Sequence, residues 1–132
     1  MDIKELSIGD WMQYKGRAWQ VCSLYQFTEE VGLWRKDSQF CENISDIEPI
    51  PITPEILEKN GWVEYSDVRN SWKLDIADYM RVWMFKNSHD WAFQVINWES
   101  EYNHEMAKAY ITSIHQLQNA IRLAGLGKEI VL

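Results

Sequence analysis

The chain has 132 residues, 46% of them apolar and 25% charged, with three prolines and six glycines. That length and balance exclude wholesale disorder and leave room for one ordinary domain or two small lobes. A formal net charge of −7 disfavours binding to phosphate backbones, and no stretch approaches the ~20 apolar residues of a membrane span.

The start, Met1–Leu6, is charged and lacks the apolar core of a signal peptide, so a soluble cytoplasmic protein is expected. Residues 1–50 read as short strands. Asp10–Lys15 is followed by the turn pair Gly16-Arg17, and Ala18–Tyr25 then alternates. Trp19, Val21 and Tyr25 fall on one face of that strand, Cys22 and Leu24 on the other. Apolar groups on both faces suit a tightly curved barrel better than an open sheet. Val31–Arg35, Phe40–Ile44 and Ile47–Ile50 follow as further strands, with Lys36–Gln39 as a polar turn. Lys15 with Arg17, and Arg35 with Lys36, are too short to count as basic patches. Cys22 and Cys41 could form one bridge, but an ample core and the missing secretion signal favour two reduced, buried thiols.

Pro49-Ile50-Pro51-Ile52 reads as a stiff connector. In Thr53–Gly61, Thr53 caps a helix of about two turns, Pro54 opens it, and Asn60-Gly61 stops it. Ile56 and Leu57 are its expected core residues. Trp62–Tyr65 and Ser71–Ile76 read as strands around the turn Ser66–Asn70. Met80–Lys86 and Trp91–Trp98 form a hairpin in which Lys86 faces Trp91 and Met84 faces Phe93. Val82, Met84, Phe93 and Val95 share one side; Arg81, Trp83, Phe85, Ala92, Gln94 and Ile96 share the other. Neither side is polar, so both are expected to be covered. Glu99–Glu105 reads as a polar loop and Met106–Ile111 as a strand. A helix capped by Thr112 or Ser113 then runs through Ala124 on Ile114, Leu117, Ala120, Ile121 and Ala124, with Gly125 as its stop. Lys128–Leu132 reads as a last short strand.

The expected fold class is therefore α+β. A small SH3-like β-barrel lobe occupies residues 1–50, and an antiparallel sheet with two helices occupies 51–132, unless the two form one continuous domain. Eight tryptophans have two uses: a core built of large residues, or aromatic anchors on a partner surface.

Ile47–Trp62, the closing run His115-Gln116-Leu117-Gln118-Asn119 with Lys128–Leu132, and the opening Leu6-Ser7-Ile8-Gly9-Asp10-Trp11 carry a resemblance. Together they resemble segments of small proteins, without assigned function, from Bacteroides-type bacteria and their prophages. The resemblance implies a cytoplasmic protein carried on a mobile or phage-derived element and says nothing about activity.

No motif assigns a catalytic residue, a metal site or a cofactor. His89, His104, His115, Cys22 and Cys41 lack ligand spacing. Ser113 and His115 are two apart at a helix start and so are expected to diverge. Asp75 with Asp78, and Glu99 with Glu101, read as solvated carboxylates. Gly125-Leu126-Gly127 follows a helix and offers no phosphate cradle. The stripe His115, Gln118, Asn119, Arg122 reads as a solvated helix face, or more sharply as a hydrogen-bonding surface for a partner chain or an inward polar network between lobes. The leading functional expectation is a non-catalytic interaction protein that binds a protein partner or itself. Trp83, Phe85 and Gln94 are its sticky face, and the stripe is a second candidate. A nucleic-acid-associated module and an enzyme with an unfamiliar site are the alternatives.

Overall fold

The two-residue turn Lys15-Gly16 sets the first hairpin. Both residues hold positive φ, at 48° and 75°, which matches the twist of the strands that they join. The computed structural model describes residues 1–98 and 104–132. The chain divides into two units: Met1–Pro51 with Ser113–His115, and Ile52–Thr112 with Gln116–Leu132.

In the first unit, β1 (Trp11–Tyr14), β2 (Arg17–Tyr25), β3 (Glu30–Arg35), β4 (Ser38–Asn43) and β5 (Glu48–Pro49) form one antiparallel sheet in the order β4-β3-β2-β1-β5. Met12, Val21, Val31, Leu33, Ile44 and Ile47 are its buried core, with Trp19 and Phe40 packed against them. The closed barrel expected here does not form. β4 and β5 sit at opposite edges, and β5 is too short, with a proline that lacks an N–H, to join them. Instead β2 bends at a bulge between Val21 and Ser23, opposite Gly32. There the β2 side chains press so close that a Cβ on Gly32 would strike Ser23 Oγ. Cys22 and Cys41 are free thiols on β2 and β4, and neither is buried as expected: Cys22 is half-buried and Cys41 exposed. Two strand spacings of about 4.8 Å separate them, beyond the reach of a disulfide.

In the second unit, β6 (Val63–Glu64), β7 (Ser71–Ala77), β8 (Met80–Lys86), β9 (Trp91–Asn97) and β10 (His104–Ile111) form an antiparallel meander. The β8–β9 register sets Lys86 opposite Trp91 and Met84 opposite Phe93, as the alternation requires. Val82, Met84, Phe93 and Val95 are at most 2% exposed. Burying each such side chain stabilises the fold by about 1.5–3 kcal/mol. α1 (Pro54–Lys59) is capped by Thr53, whose Oγ1 accepts the Ile56 N–H at 3.3 Å. It covers the same side of the sheet, where Trp72 Nε1 donates to Glu58 Oε1 at 3.3 Å. α2 (Ile114–Leu123) buries Leu117 and Ile121. Ala120 and Ala124 meet Phe93 and Ala109 around a small groove.

The two open sheets and two helices make the described chain α+β. Two differences from the sequence reading concern the tail and the loop. Lys128–Leu132 is not a strand; Asn60 holds Val131 instead, accepting its N–H at 2.7 Å and donating to its carbonyl at 2.8 Å. Of the expected polar loop Glu99–Glu105, residues 99–103, and with them the Glu99–Glu101 pair, lie outside the described residues, whereas Glu105 belongs to β10. No helix among the described residues is long and apolar enough to cross a membrane.

Candidate functional site

The second side of the β8–β9 hairpin is the candidate site. Register places Arg81, Trp83 and Phe85 of β8 beside Ala92, Gln94 and Ile96 of β9, with Lys73 and Asp75 of β7 on the far flank. Among the described residues of the second unit, no helix packs on this side. The side chains shield one another instead, which is how an apolar face stays partly wet without a second layer. Trp83 stacks on Phe85 with ring centroids 5.5 Å apart and meets the edge of Tyr65 at 5.2 Å. Arg81 lies between two indoles, 5.6 Å from the centroid of Trp83 and 4.9 Å from that of Trp98. Lys73 caps Tyr65 at 5.2 Å. Such cation–ring contacts contribute about 0.5–1 kcal/mol each at exposed sites.

Arg81 is fixed a second time, from β7. Its Nε donates to Asp75 Oδ1 at 2.6 Å, and that bond holds the Asp75 carboxyl below the usual carboxylate range. Gln94 is tied down from β10 by a bond to Glu105 Oε2 at 2.8 Å. Between Arg81, Trp83, Ile96 and Trp98 lies a recess of about 130 Å³. Trp83, Phe85 and Ile96 remain half-buried and Trp98 is 43% exposed. The face thus combines stacked aromatic rings, an oriented guanidinium and one side-chain-sized hollow.

Of the residues singled out in the sequence, Trp83, Phe85 and Gln94 share this platform. Tyr65 and Trp98, which reach it from β6–β7 and from beyond β9, were not singled out. In the sequence they only close the strand runs Trp62–Tyr65 and Trp91–Trp98. At Trp98 the backbone is pinned by a bond from its N–H to the carbonyl of Tyr79 at 2.8 Å, and Tyr79 holds a positive φ of 66°. A bulky residue in that region is strained.

The helix stripe does not behave as one surface. His115 is 3% exposed, Gln118 and Asn119 are half-buried, and Arg122 is exposed; none of Gln118, Asn119 and Arg122 lacks a partner. Ser113 and His115 do not diverge: Ser113 Oγ lies 3.0 Å from His115 Nδ1. Ser113 precedes the helix in an extended bridge with Pro51, so helical geometry does not apply to it. Burial pushes the His115 pKa down, and the charges of Asp10 and Glu5 push partly back. Ser113, His115 and Asp10 are all buried, at 3%, 3% and 0% exposure. Among the described residues, no three His, Cys, Asp or Glu side chains gather closely enough to hold a metal ion.

The chain matches no protein-family model, no curated protein and no solved structure.

Proposed function

We propose that the protein is a non-catalytic interaction module whose second unit docks an acidic segment of a partner protein on the Trp83 platform. The supporting observation is Arg81, held between Trp83 and Trp98 and lining a hollow of side-chain size. A carboxylate of the partner meets Arg81, and a neighbouring apolar side chain fills the hollow. A second copy fits less well. Two chains that each carry −7 repel one another. The resemblance of both chain ends and the Ile47–Trp62 run to segments of Bacteroides-type and prophage proteins supports an accessory role on a phage-derived or mobile element, in the cytoplasm.

Selection from a random-peptide display library tests the reading. Enrichment of sequences pairing Asp or Glu with Leu or Phe, lost with Trp83→Ala and with the more exposed Trp98→Ala, is the expected result. Equal enrichment by all three proteins overturns it. So does a dimer in sedimentation that Trp98→Ala dissociates, which assigns the platform to self-association.

A further inference from the structure

The first unit carries a recess of about 340 Å³, independent of the platform and lined by Arg17, Trp19, Arg35, Lys36, Asp37 and Ser38. The β2–β3 pairing, which sets Gln20 beside Trp34, brings Arg17 and Arg35 to one mouth despite their distance in sequence. That is why each basic pair alone reads as too short for a patch. Arg17, Arg35 and Lys36 make no ion pair among the described residues, although Asp37 shares the recess. Trp19 lines it too, with a buried indole N–H that has no hydrogen-bond partner. Lys36 is held there at φ 49°, a strained conformation for a residue with a Cβ.

We propose that this recess binds the phosphate group of a small hydroxyl-bearing phosphomonoester, such as a sugar phosphate. Two guanidinium forks and an ammonium line the recess, against the single carboxylate of Asp37. One carboxylate is satisfied by a single fork, whereas a phosphate dianion offers three oxygens to several donors at once. Asp37 repels the phosphate but accepts a hydroxyl from the sugar attached to it. A nucleic-acid chain is disfavoured because a backbone tracking beyond this bounded recess meets the field of a chain with net charge −7.

Calorimetric titration at low ionic strength with ribose 5-phosphate, ribose and a single-stranded oligothymidylate tests the proposal. Ribose 5-phosphate binds and ribose does not. Arg17→Gln/Arg35→Gln weakens that binding at least about tenfold. Lys36→Gly also weakens it while leaving the melting temperature unchanged or higher, because glycine relieves the positive φ and separates lost charge from lost fold. Absence of ribose 5-phosphate binding, or undiminished binding by the double arginine variant, overturns the proposal. Tighter binding of the oligothymidylate than of ribose 5-phosphate overturns it too, and assigns the recess to nucleic acid.

Discussion

At the residue scale, His115 shows how burial turns a polar side chain into a pH-sensitive brace. Desolvation depresses its pKa in the folded chain, and Asp10 and Glu5 only partly oppose that. The unfolded histidine titrates near its ordinary value of about 6.5. Between that value and the lower folded one, the unfolded chain binds more protons. The contribution of His115 is therefore fully present above about pH 6.5 and is lost as pH falls through the folded pKa. Urea unfolding between about pH 7.5 and 5.5 is expected to show falling stability, with a shallower slope for His115→Asn. Equal slopes for the two proteins would contradict this. The sequence could not reveal the pair, because two residues on a helix diverge, and only the extended backbone at Ser113 turns its hydroxyl toward the ring.

At the element scale, local signals were the legible ones. The cap at Thr53, the stop at Asn60-Gly61 and the register of β8–β9 each follow from a few adjacent residues, and each stands where those residues put it. What stayed hidden was long-range pairing. β5 leaves the first sheet open, and Asn60 grips Val131 from 71 positions away, with no strand at the C-terminus to announce it. Asn60 Nδ2 also donates to the Ile56 carbonyl at 2.8 Å, so one side chain both ends α1 and pins the tail. Asn60→Ala is expected to cost about 1–2 kcal/mol in chemical denaturation, at the low end because Val131 is exposed and water replaces the lost partner. Hydrogen exchange at the Val131 amide should quicken well beyond that of the sheet. An unchanged Val131 amide would show that something other than Asn60 holds the tail.

At the scale of the whole molecule, the tryptophans divide by use. Trp62, Trp72 and Trp91 are at most 5% exposed and serve the core of the second unit, whereas Trp83 and Trp98 stand on its open face. Composition gave their number but not this division, which needs the strand register and the ring contacts of Arg81. The same limit applied to charge: a chain at −7 still gathers Arg17, Arg35 and Lys36 around one recess. The most direct measurement is calorimetric titration of a display-selected acidic peptide into the wild-type protein and two variants. Trp98→Ala is expected to lose at least about tenfold in affinity, the size of an aromatic anchor's contribution, while Arg17→Gln/Arg35→Gln binds like wild type. Equal affinity for wild type and Trp98→Ala would contradict the assignment of the platform as the docking surface.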